Sequence, residues 1–141
     1  MSDSNTTPAL NSALAALSSS LVQYTGECLP WTDSDDDSEL VALDLFRRRQ
    51  QLQIARLVEL LGQRGDTVEL GRFPTRYTDL HFISLENLYP RLIANQQSIL
   101  ETLDKSATLC RDDDTASGLI ADAVAEEQRT LEELGTLVVA D

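Results

Sequence analysis

The chain's stock of side chains for acid–base or metal chemistry is lopsided: 24 aspartates and glutamates, two cysteines and a single histidine, His81. Asp79 and Glu86 stand close to that histidine in sequence, a setting that suits a general base because an imidazole titrates near neutral pH. No serine or cysteine at an elbow-like turn accompanies it, so a nucleophile is not signalled, and a lone histidine near a helix start reads as structural. Asp35-Asp36-Asp37 and Asp112-Asp113-Asp114 would attract a divalent cation, yet they lack the spaced ligands and bidentate glutamate of a calcium loop. Both runs read as solvated caps. Cys28 and Cys110 form no CxxC pair and are expected as buried free thiols rather than zinc ligands or a disulfide. Gln50, Gln51, Gln53, Asn95, Gln96 and Gln97 make amide-rich patches that would line a polar pocket or an interface, with plain surface as the default.

Four amphipathic segments must position these groups. Thr7-Pro8 offers a capping hydroxyl and a proline at the first helical position, and Leu10, Leu14, Leu17, Leu21 and Tyr24 follow at spacings of four, three, four and three. That predicts one helix ending near Gly26. PWTDSDDDS, residues 30–38, is an acidic turn that places Trp31 at one end of the molecule. A second helix is predicted from about Glu39 to Leu61, with Leu43, Phe46, Ile54, Leu57 and Leu61 on one face and Arg47 and Gln50 interrupting it midway. Residues 62–78 carry three glycines, a proline and no sustained period. So long a connection predicts a crossing along the helices rather than a tight hairpin. Leu85, Leu88, Leu92, Ile99 and Leu103 predict a third helix in which Pro90 imposes a kink or a fresh start. After RDDDTAS, residues 111–117, a fourth helix with Leu119, Ile120, Ala123, Val124, Leu131 and Leu134 runs almost to the C-terminus. The expected fold is an all-α four-helix bundle, one domain over residues 1–141 with 1–7 as a flexible N-terminus.

A net charge of −13 keeps the chain soluble and disfavours nucleic acid and anionic membrane as partners. Lys105 is the only lysine. Seven of the ten arginines (Arg47, Arg48, Arg49, Arg56, Arg64, Arg72 and Arg76) fall between positions 47 and 76, a stretch expected to pair with the chain's own acidic helices or with a neighbouring subunit. Arg64-Gly65-Asp66 has the letters of an adhesion motif and is read as chance. With no signal-type N-terminus and no apolar run of ~20 residues, the protein is expected to be cytoplasmic.

Several segments resemble the ferritin-like superfamily, bacterioferritins in particular. Leu10-Asn11 followed some turns later by Gln23-Tyr24 is similar to that family's opening helix. Glu69-Leu70-Gly71-Arg72-Phe73 resembles its Asp-Leu-Gly-Lys-Leu-type segment, and Ala125-Glu126-Glu127-Gln128-Arg129 its Asp-Glu-Glu-x-His. The resemblance implies a long crossover between helices two and three, dimers or larger homo-oligomers, and a di-metal centre. That centre takes one glutamate from each of two helices and a Glu-x-x-His pair from each of the other two. Carried over position by position, the ligands fall on Leu17, Arg47, Gln50, Arg91, Glu126 and Arg129, of which only Glu126 keeps its type. The di-metal centre, any other cofactor and ferroxidase-type catalysis are therefore expected to be absent. Arg47, Arg129 and Arg91 would then either surround Glu126 as an ion-pair network or snorkel outward. The resulting expectation is a non-catalytic protein acting through homo-oligomerisation or a protein partner. The alternative is an iron- or manganese-binding or oxidative-stress protein in which Glu126, Glu127, Glu86 and His81 regroup into an unorthodox site. A DNA-protecting role is disfavoured by the charge.

Overall fold

Leucines recurring every three or four residues wind the chain into helices, and the breaks between them are written in serine, aspartate and glycine. The computed structural model describes residues 5–27, 30, 38–80 and 83–140, with side chains to 138. Its elements are α1 (Thr6–Ser18), α2 (Leu21–Tyr24), α3 (Ser38–Gln63), a 3-10 turn (Thr75–Leu80), α4 (Leu85–Leu109) and α5 (Asp114–Ala140). Among the described residues the architecture is all-helical. Trp31, Cys28, His81 and the Asp35–Asp37 run lie outside the described residues.

The single first helix expected from Thr7 to near Gly26 is instead two pieces. Ser19 and Ser18 both return their hydroxyls to the Ala15 carbonyl, at 2.6 and 3.4 Å, competing with the helix's own ladder. Ser20 then caps α2, its Oγ accepting from the Gln23 amide at 3.1 Å. The start also differs: α1 begins at Thr6, and the Thr7 hydroxyl donates to Asp66 rather than capping. Pro90 does not force a fresh start. It is the sixth residue of an unbroken α4, where its missing N–H forgoes only the bond to the Glu86 carbonyl. Helix α5 begins inside the expected polar break, because Asp113 Oδ1 accepts from the Ala116 amide at 3.1 Å and caps it.

The end of α3 is closed by Gly65 in the left-handed region, φ 69°. The Gly65 and Asp66 amides donate to the Gly62 and Leu61 carbonyls, a paired closure that favours glycine because it has no Cβ. The chain then runs back along α1. Thr7 Oγ1 donates to Asp66 at 2.9 Å, Asn11 holds Thr67 and Glu69, and the Gly71 amide donates to Ser18 Oγ at 2.8 Å. At the far end Phe73 meets Tyr24 edge-on, 5.0 Å between centroids. This return fixes α3 and α4 as running in the same direction. Gly71 passes so close to α1 that a Cβ there would collide with the Ala15 carbonyl and Ser19.

Helix α1 lies between α3 and α4, and α5 lies between the same two on the opposite side. Two apolar cores result. One gathers Leu10, Leu14, Leu17, Leu57, Leu61, Leu103 and Ile120, and the other Leu21, Leu43, Phe46, Leu88, Leu92 and Leu134. No helix among the described residues is long and apolar enough to cross a membrane.

Most of the basic stretch pairs internally. Arg49 grips Glu133 at 2.7 Å, Arg64 grips Asp113 at 2.6 Å, Arg47 and Arg48 share Asp44 at 3.1 and 2.9 Å, and Arg56 stands 3.9 Å from Asp122. The Arg64-Gly65-Asp66 triplet is thus accounted for residue by residue, as ion pair, helix closure and acceptor for Thr7.

Candidate functional site

Between the two cores every helical strand of the molecule passes through a polar residue. On α3 the buried stripe reads Leu43, Gln50, Leu57, and on α5 Ile120, Glu127, Leu134, each with the polar residue seven positions from a buried neighbour on either side. On α4 the residue is Gln96, between Leu92 and Ile99. Ser20, in the break between α1 and α2, supplies the fourth corner. All four are buried, Gln50, Gln96 and Glu127 completely.

Their bonds form one connected set. Gln50 Nε2 donates to Glu127 Oε1 at 2.5 Å and Gln96 Nε2 donates to the same oxygen at 2.9 Å, with a second contact to the Glu127 carbonyl at 3.1 Å. Gln50 Oε1 in turn accepts from Ser20 Oγ at 2.8 Å and from Gln23 Nε2 at 3.0 Å. Gln50 is therefore oriented, its oxygen facing Ser20 and Gln23 and its nitrogen the carboxyl, and Gln96 likewise turns its nitrogen to the carboxyl. Glu127 Oε2, Gln96 Oε1 and Thr130 Oγ1 are buried without a hydrogen-bond partner. Loss of water pushes the Glu127 carboxyl above its ordinary range, more than the two amide donors pull it back. A protonated Glu127 would carry a hydroxyl on the oxygen that now lacks a donor, in a layer with spare acceptors.

The positions carried over from the ferritin-like pattern are only partly brought together. Leu17 is buried in the first apolar core. Gln50 is at the centre of the polar layer. Arg47 points away from it, donating to Thr25 Oγ1 at 2.9 Å and pairing with Asp44. Arg129 is exposed and pairs with Glu133, and Arg91 is exposed on α4. Glu126 is half-buried, and no guanidinium among the described residues pairs with it. The arginine network around Glu126 is thus replaced by an amide cluster around Glu127. One residue of register makes the difference: Glu127 continues the spacing of Ile120 and Leu134, and Glu126 does not.

Of the regrouped site of Glu126, Glu127, Glu86 and His81, the histidine lies outside the described residues, and Glu86 is not brought to Glu127. Glu86 is exposed in the first turn of α4, and Glu127 packs on Gln96, ten residues further along, about 15 Å by helical rise. Among the described residues no three of His, Cys, Asp and Glu gather so that they could hold a metal ion. The polar layer itself does not fit a pair of metal ions. It offers one carboxyl, and its two amides turn N–H groups, not lone pairs, toward that carboxyl. Cys110 is buried and free, its thiol pushed up by burial. Gln96 and Glu127 were both findable as polar residues continuing an apolar period, the signal that already marked Gln50.

Compared with known proteins, the chain matches no family model, no curated protein and no solved structure.

Proposed function

We propose that the chain is a ferritin-like four-helix bundle in which the metal-bearing mid-plane has become a structural amide–carboxyl layer, and that it works by association rather than catalysis. Support for the first part comes from the direction of the helices: α3 and α4 run parallel because residues 66–71 return along α1, the connection such bundles use. The observation that carries the reading is the orientation of Gln50 and Gln96, whose N–H groups occupy the space around Glu127 that a cation would need.

Association is supported by the outer face of α3. Val41, Leu45 and Leu52 stand 65, 45 and 52% exposed at spacings of four and seven, a stripe on the side of the helix turned away from both cores. Arg48 and Arg56 flank it, each already facing a carboxylate of its own chain, so the occupant proposed for the stripe is the same apolar stripe of a second copy. Sedimentation equilibrium of the full chain and of Leu52→Glu is the test. The wild type is expected to run as a dimer or larger at micromolar concentration and the variant to be monomeric with an unchanged circular-dichroism spectrum. A monomeric wild type would overturn the association reading.

A further inference from the structure

A cavity of about 460 Å³ opens between α2, the 3-10 turn and α4, lined by Leu21, Arg76, Tyr77, Asp79, Leu80, Arg91, Ala94, Asn95 and Ser98. Its size is that of a small-ligand site. We infer that it binds a small organic anion, a carboxylate or phosphate head on an apolar or aromatic body.

Two guanidinium groups carry the argument. Arg76 and Arg91 both line the cavity, from different elements, and neither joins any ion pair among the described residues. Of the eleven basic residues six join ion pairs among the described residues (Arg47, Arg48, Arg49, Arg56, Arg64 and Arg129), and Arg76 and Arg91 are the two of the remainder that line one cavity. Arg76 is held in place by Tyr77, its guanidinium 5.5 Å from the ring centroid. The wall is built rather than loose. Tyr77 is buried, its Oη accepts from Asn95 Nδ2 at 3.1 Å, and Asn95 Oδ1 accepts from the Leu21 amide at 2.9 Å. That leaves the phenol proton with no acceptor among the described residues, and burial holds it on by raising the Tyr77 pKa. Ser98 adds an exposed hydroxyl. Guanidinium forks and hydroxyl donors together suit the acceptor-rich head of a carboxylate or phosphate. Leu21, Leu80 and Ala94 supply the apolar contact for the body. Asp79 is the one carboxylate in the lining, against two arginines, so the balance facing the ligand is positive.

Calorimetric titration of the full chain in low-salt buffer with phenyl phosphate, benzoate and benzylamine tests this. Saturable binding of one anion per chain, with none of the amine, is expected. Tighter phenyl phosphate would identify a phosphorylated ligand and tighter benzoate a carboxylic acid. Arg76→Gln and Arg91→Gln should each weaken the anion about tenfold or more, the loss of a charge-assisted hydrogen bond, and Arg111→Gln on the α4–α5 turn should not. Both cavity arginines are exposed and in no ion pair among the described residues, so the variants are expected to melt close to the wild type. Equal binding of benzylamine, anion binding unchanged in the Arg76→Gln/Arg91→Gln double variant, or no saturable anion binding tighter than about 1 mM would each overturn the assignment.

Discussion

Replacing Glu127 by glutamine separates a structural polar layer from a functional carboxylate, and the two roles predict opposite signs. Glu127 is fully buried, its Oε1 accepts from Gln50 and Gln96, and its Oε2 has no partner. Leaving a buried group unsatisfied costs about 1–3 kcal/mol, and more if the group is charged. Glutamine keeps the accepting oxygen and places an N–H₂ where Oε2 lacks a donor, with Gln96 Oε1 and Thr130 Oγ1 among the buried atoms that lack partners. Glu127→Gln should therefore stabilise the protein at pH 7 to 8 by about 1–3 kcal/mol, or about 3–10 °C in melting temperature for a chain of this size. The sign with pH follows from burial raising the folded-state pKa above the ordinary 4.5. Below 4.5 both folded and unfolded wild type hold the proton and stability is full. As pH rises from there through the raised folded value, the unfolded chain ionises first and stability is lost. The variant lacks this loss, so the difference between the two proteins should be near zero at pH 4 and grow toward pH 8. Urea unfolding followed by circular dichroism across that range measures it. A variant less stable than wild type at pH 7, or a difference that does not change with pH, would refute the reasoning. Glu127→Leu serves as the contrast. It strands two amide donors and should cost about 2–5 kcal/mol at every pH.

Asp113 carries the opposite pH dependence. The Arg64 guanidinium holds its carboxyl down at about 2, so its contribution is present above pH 3.8 and fades as pH falls toward 2. Asp113→Ala loses both the pair and the cap on α5 and should cost about 2 kcal/mol at pH 7, measured by urea melts. Gly71→Ala should destabilise by about 1–3 kcal/mol in a thermal melt, since its methyl meets the Ala15 carbonyl and Ser19. Gly118→Ala, in α5 with open space around the new methyl, should stabilise by about 0.5–1 kcal/mol.

Helical content was legible because leucine spacing is a direct image of which face is buried: Leu43, Leu57 and Leu61 were placed correctly from periodicity alone. The Ser18–Ser20 break was not, since the apolar spacing carries straight through it to Leu21 and only the hydroxyls' competition for the Ala15 carbonyl interrupts the ladder. Gln50 was singled out as an interruption of its stripe, and it is the centre of the polar layer. Glu127 was assigned to its neighbour Glu126 because the comparison of motifs, rather than the seven-residue spacing from Ile120, set the register. The cavity at Arg76 and Arg91 was invisible beforehand. Its walls come from residues up to 77 positions apart, Leu21 to Ser98, and only the packing of a chain segment without periodicity joins them.

Asn11 uses both ends of its side-chain amide on the returning segment, Nδ2 giving to the Thr67 carbonyl and Oδ1 taking from the Glu69 amide, each at 2.8 Å. One side chain thereby imitates the rung of a β-ladder and sets which loop residue sits beside which turn of α1. Inserting a single residue between Asp66 and Gly71 would slide that frame and push a side chain into the narrow gap the glycine occupies. An insertion between Thr78 and Leu80, past the last of these anchors, would leave the frame where it is. The segment joining the two halves of the molecule is thus a measured strap, its length set by a polar ruler on the first helix.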